Sequence, residues 1–116
     1  MELICLISSD TETWPQISGL MTHGVWDKVV LVGDESGKQF QHERPFQFIQ
    51  VDTTKKIKEL REEFTQKLKG KFEGMEVACS IASGTGKEHM ALISAIINLP
   101  MGIRFAALTK EGILDL

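Results

Sequence analysis

The stretch from Met75 to Leu99 limits what this chain can fold into more than any other. An apolar run, Met75 to Ala82, breaks into Ser83-Gly84-Thr85-Gly86-Lys87-Glu88-His89, and a segment rich in Ala, Leu and Ile follows from Met90 to Leu99. The pattern predicts a strand that turns sharply into a helix. Gly84 and Gly86 permit the turn and a close approach to a bulky group. The first amides of such a helix have no partner within it, and the positive end of its dipole lies there. That geometry suits an anion, with Lys87 beside it. The same residues also fit a purely structural role. Thr85 and Glu88 stand three apart, the spacing of a capping box, which would satisfy the helix start with no ligand at all.

The rest of the chain repeats the alternation. Leu3-Ile-Cys-Leu-Ile7 and Val29-Val-Leu-Val32 are continuous apolar runs, as expected of strands covered on both faces. After the first run come Ser8-Ser9-Asp10-Thr11-Glu12, then Thr13-Trp14-Pro15-Gln16. There Thr13 can cap a short helix, Pro15 fits its first turn, and Gln16 can close a second capping box. Ile17, Leu20 and Met21 share one face of that helix, and Gly24 is its expected stop. Phe46 to Asp52 reads as a third strand. Lys55 to Phe72 reads as the clearest helix, with Ile57, Leu60, Phe64 and Leu68 in one stripe. Ile103 to Leu108 is the last expected strand, with Thr109 to Leu116 as a tail. Gly33 to Pro45 has no helical period; it is open between a crossover, a loop, and a hairpin turning at Glu35-Ser36-Gly37-Lys38. Pro100 closes the helix after the glycine turn. That helix is apolar nearly all round, so it is expected to be sandwiched, with a subunit interface as one option.

Strands alternating with helices predict a single doubly wound, Rossmann-like α/β domain over residues 1–116, with a mostly parallel five-stranded sheet. In the common strand order the direction of winding reverses between the first and fourth strands, and ligands bind outside the carboxyl ends there. The loops that would meet are Ser8–Gln16 and Ser83–His89, the two richest in hydroxyls and helix-start residues. Candidate ligand-binding residues are therefore Ser8, Ser9, Asp10, Thr11, Thr13, Gln16, Ser83, Gly84, Thr85, Gly86 and Lys87. No Lys or Arg precedes Lys28, so a phosphate in the crevice would depend on Lys87 and backbone amides.

Composition removes several function classes. A net charge of −3 gives no general attraction to nucleic acid or membrane, so direct DNA binding is not expected. Seven of the 13 basic residues lie between Lys55 and Lys71, but Glu59, Glu62 and Glu63 balance them and no aromatics interleave, which describes a solvated face. No apolar run is long enough to span a membrane. Cys5 and Cys79 sit in apolar runs without metal or redox spacing and read as buried thiols, which points to a cytoplasmic setting. His23, His42 and His89 are far apart, so no metal site is expected; of the three, His89 is best placed for a site. The Lys87 turn is not a P-loop, since Ile81 stands where that motif needs Gly and Glu88 where it needs Ser or Thr. The first turn lacks glycines, so a dinucleotide fingerprint is absent, and no Gly-x-Ser-x-Gly elbow occurs. No cofactor is expected, although a flavin or nucleotide enzyme at the same crevice is a further option.

Two signals together resemble the CRISPR-associated Rossmann fold (CARF) family, whose domains sense cyclic oligoadenylates. The first is a strand ending in Ser8-Ser9 with Thr13-Trp14-Pro15-Gln16 opening the next helix. The second is Ser83-Gly84-Thr85-Gly86-Lys87 before a helix with Ala91, similar to that family's Gly-Gly-Thr-Lys turn; here the second glycine follows the threonine. The resemblance covers most of the chain and implies a stand-alone sensor working as a homodimer on a nucleotide-type small molecule. Ser8, Ser9 and Thr11 would then meet riboses or phosphates, Gly84, Gly86 and Lys87 a phosphate, and Trp14 either a base or the core. It also admits a metal-independent ring nuclease with Lys87 as the catalytic, electrostatic group and Ser9 or Thr85 orienting. An interaction subunit, whose apolar last helix docks a partner, stands as the alternative from another class.

Overall fold

The computed structural model describes residues 1–116. In chain order its elements are β1 (Glu2–Ile7), α1 (Trp14–His23), β2 (Val29–Gly33), β3 (Gln47–Gln50), α2 (Ile57–Leu68), β4 (Glu76–Ser80), α3 (Gly86–Asn98), β5 (Gly102–Thr109) and β6 (Gly112–Asp115). One sheet runs in the order β3-β2-β1-β4-β5-β6. Its first five strands are parallel neighbours, and β6 is antiparallel to β5. The doubly wound α/β architecture read from the sequence is therefore present, with the winding reversed between β1 and β4.

The continuous apolar runs fold as strands because both faces of the sheet are covered. Every residue of β1 and β2 is buried. Alternation along β1 sends Leu3, Cys5 and Ile7 toward α1, and Ile4 and Leu6 toward α2 and α3. Cys79 faces the α2–α3 side while Cys5 faces the α1 side, so the sheet itself separates the two thiols. The stripe of α2 buries Leu60, Phe64 and Leu68 against Ala91, Leu92, Ala95 and Ile96 of α3. Full burial of a side chain such as Phe64 stabilises the fold by roughly 1.5–3 kcal/mol. No helix is long and apolar enough to cross a membrane.

One expectation needs correction, and two are made specific. The sheet has six strands, not five. Gly112 takes φ +108°, a left-handed backbone open to glycine, and lets the chain reverse over Lys110-Glu111 so that Gly112 pairs with Thr109. The expected tail thereby becomes β6. Of the readings for residues 33–45, the crossover holds, since β2 and β3 are parallel, and within it Glu35–Gln39 is a 3-10 helix capped by Asp34, whose Oδ1 accepts from the Ser36 amide at 3.0 Å. Phe40 anchors the segment by entering the α1-side core, edge-on to Trp14 at 5.6 Å and to Phe46 at 5.7 Å. Within the single chain α3 is covered on one side only, since Met90 and Ile97 are 62% and 58% exposed.

Candidate functional site at the carboxyl edge of the sheet

The loops after β1 and β4, some 75 residues apart in sequence, are joined by one buried hydroxyl. Ser83 is fully buried, and its Oγ accepts the Ser8 amide at 2.9 Å. It also lies 2.7 Å from Ser8 Oγ and 2.7 Å from Thr13 Oγ1. Thr13 Oγ1 faces two acceptors with its one proton, the Asp10 carbonyl at 2.7 Å and Ser83 Oγ at 2.7 Å. Ser8 Oγ accepts in turn from the Asp10 amide at 3.3 Å. The result is a closed ring of hydrogen-bonded groups from the Asp10 N–H through Ser8, Ser83 and Thr13 back to the Asp10 carbonyl. Linked hydroxyls of this kind strengthen one another.

The ring sorts the candidate residues. Ser8, Thr13 and Ser83 hold the loop; Ser8 is further fixed by Trp14 Nε1, which donates to its carbonyl at 2.8 Å. The edge-on packing of Trp14 against Phe40 makes it a core side chain. Ser9, Asp10 and Thr11 are exposed on the rim. Asp10 Oδ1 accepts from the Glu12 amide at 3.2 Å and opens a 3-10 turn over Thr11–Thr13. That turn puts Thr13 in a helical conformation, so its side chain makes no cap to α1. Gln16 does not close a capping box. Its Nε2 donates to the Leu108 carbonyl at 3.0 Å and its Oε1 accepts the Leu108 amide at 3.2 Å, tying the start of α1 to the end of β5.

The glycine turn is built as read. Gly84 takes φ +99°, and a Cβ there would lie 2.4 Å from Leu6 Cδ2. Thr85 and Glu88 form the capping box: the Glu88 amide donates to Thr85 Oγ1 at 3.3 Å and the Thr85 amide to Glu88 Oε1 at 3.2 Å. The box leaves the first two amides of α3, those of Gly86 and Lys87, without an intrahelical acceptor. Gly86 is exposed, and a Cβ there would meet only open space. His89 Nε2 donates to the Ser83 carbonyl at 2.8 Å, which fastens the first turn of α3 to the ring residue.

Lys87 does not point into the crevice. Its Nζ donates to the carbonyls of Thr53 and Lys55, both at 2.8 Å. This brings in a third rim segment, the β3–α2 turn, which the sequence reading passed over. The helices α2 and α3 pack side by side and both begin at the carboxyl edge, so their first turns meet. The turn is itself well tied. Asp52 Oδ1 accepts from the Thr54 amide at 3.0 Å and its hydroxyl at 2.6 Å, and these bonds hold the Asp52 carboxyl below its usual range. Glu63 joins Lys55 at 2.9 Å and Lys67 at 2.8 Å. Burial pushes the Glu63 carboxyl up, but the bonds from Lys67 and Lys55 outweigh it and the net shift is downward. A cavity of about 520 Å³ opens beside the turn, between Asp34, Gln50, Asp52, Thr53 and Glu63. The sequence signal for this segment was Asp52-Thr53-Thr54, an Asx-type turn just before the clearest helix.

No family model and no curated protein matches the chain. Among solved structures, Csm6 of Enterococcus italicus bound to cyclic hexa-2'-fluoro-hexa-dAMP is similar in fold. The TM-score is 0.60 and the identity 16%, over 95% of this chain and 34% of that one. The chain thus spans about a third of the length of Csm6, and the likeness is one of fold.

Proposed function

We propose that this chain is a ligand-sensing Rossmann-like domain that binds a nucleotide second messenger, such as a cyclic oligoadenylate, at the carboxyl edge of its sheet. The observation that carries the reading is the pair of amides without an intrahelical acceptor, those of Gly86 and Lys87, held beside the Ser8–Thr13 loop by the Ser83 hydroxyl. A phosphate on those amides would gain from the helix dipole and from a backbone with no side chain in the way. The exposed Ser9 and Thr11 hydroxyls stand within the adjoining loop for riboses. The similar fold with a cyclic adenylate bound in Csm6 supports the same ligand class. A symmetric ring is matched by a two-fold dimer, and the exposed Met90 and Ile97 on α3 give such a dimer an apolar surface.

Binding is favoured over cleavage. A ring nuclease that makes the ribose 2'-hydroxyl attack its own phosphate needs a group to steady the developing charge. Lys87 is the expected one, and without a ligand its ammonium is engaged with two backbone carbonyls, so cleavage requires that it first leave them. Calorimetric titration with cyclic tetra- and hexa-adenylate tests the binding reading; a Kd in the micromolar range or below with either ring is the expected result. No heat and no thermal shift with both overturns it and leaves the interaction-subunit reading. Incubation with the ring in EDTA, followed by separation of linear products, tests cleavage.

A further inference from the structure

We propose that Lys87 is a latch that couples the anion seat to the β3–α2 turn; the proposal rests on the binding reading above. The ammonium has three protons, and two are spent on the carbonyls of Thr53 and Lys55. The positive charge of Lys87 also acts on Asp52 in the same turn. The amide of Lys87, by contrast, belongs to the pair at the start of α3 that has no intrahelical acceptor. One residue therefore presents its backbone to the seat and its side chain to the neighbouring turn. A phosphate at the seat attracts the ammonium more strongly than a neutral carbonyl does, because it adds a full opposite charge at short range. When the ammonium swings to the phosphate, Thr53 and Lys55 lose their only tether to α3. The turn stays linked to α2 through the Lys55–Glu63 pair, and Glu63 is also bonded to Lys67 and to the Asp52 amide. Occupancy of the seat is thus read out as loosening of residues 52–56 at the head of α2.

Hydrogen exchange of the segment, read by mass spectrometry on the whole chain, tests this. Lys87→Met without ligand should speed exchange across residues 52–56 about tenfold, and Lys87→Gln, with one weak donor, should fall between. Saturating cyclic hexa-adenylate should bring the wild type to the level of Lys87→Met and leave Lys87→Met unchanged. Binding heat with no change of exchange in this segment overturns the latch while sparing the binding reading. Wild-type exchange in Lys87→Met overturns the latch as well. No heat with cyclic hexa-adenylate, cyclic tetra-adenylate or inorganic phosphate overturns the binding reading and, with it, any ligand-driven release.

Discussion

The Ser83 hydroxyl lies 2.7 Å from the Ser8 hydroxyl and accepts the Ser8 amide at 2.9 Å, so a fully buried side chain from the loop after β4 fixes the backbone of the loop after β1. The two strands that carry these loops are neighbours at the point where the winding reverses. The crevice between them is therefore not two independent loops. It is one hydrogen-bonded unit with a rim of exposed residues above it.

Ser83→Ala should remove the hub and strand the Ser8 amide. Leaving a buried donor without a partner costs about 2 kcal/mol. The urea midpoint should fall with an unchanged m-value. Ser9→Ala, on the exposed rim, should stay within roughly 0.5 kcal/mol of wild type. Equal losses for both variants would contradict the ring.

The two glycines of the turn should separate stability from binding. Gly84→Ala forces a side chain into φ +99° and into Leu6, and should cost at least about 2 kcal/mol in a denaturation series. Gly86→Ala meets open space at the first helical position, so stability should hold or rise by about 0.5 kcal/mol. The added methyl stands at the seat, so the same variant should weaken ring binding in calorimetry.

Glu88→Gln keeps an acceptor for the Thr85 amide and removes a negative charge from the start of α3. The helix should lose about 0.3–1 kcal/mol of dipole stabilisation. Affinity for cyclic hexa-adenylate should rise roughly three- to tenfold at low salt, and the gain should shrink as salt screens it. An unchanged affinity would mean that the ligand sits elsewhere.

Stability should fall on the alkaline side. Burial raises the Cys79 thiol to about 12 and the Cys5 thiol further still, with the Cys79 charge adding to the latter. Below the unfolded thiol pKa of about 8.5 both states are neutral and nothing changes. Above it the unfolded chain ionises and the folded one does not, so the unfolded state binds fewer protons and stability declines with rising pH. The slope is about 1.4 kcal/mol per pH unit for each thiol, and urea melts from pH 8 to 10 would measure it. A thiol reagent at pH 8 should label neither cysteine until the chain unfolds.

What could be read from the residues was whatever depends on near neighbours in the chain. The apolar runs of β1, β2 and β4, the Leu60–Phe64–Leu68 stripe of α2 and the Thr85–Glu88 box are set by spacings of a few residues and stand where the sequence puts them, whereas Ile57, read into the same stripe, is 40% exposed. Even β6 was readable in principle, from Gly112 between two apolar segments. The meeting of the loops after β1 and β4 followed from strand order alone.

What only the folded chain decided is where a side chain with several possible partners points. Thr13 and Gln16 carry the right types for a helix cap, yet a 3-10 turn and the edge of β5 claim them instead. Lys87 carries the right charge for a phosphate, yet the head of α2 lies within reach and takes it. Local pattern sets backbone conformation because its energetics are local. The partner of a long polar side chain is set by which elements packing brings alongside, and no spacing in the sequence encodes that distance.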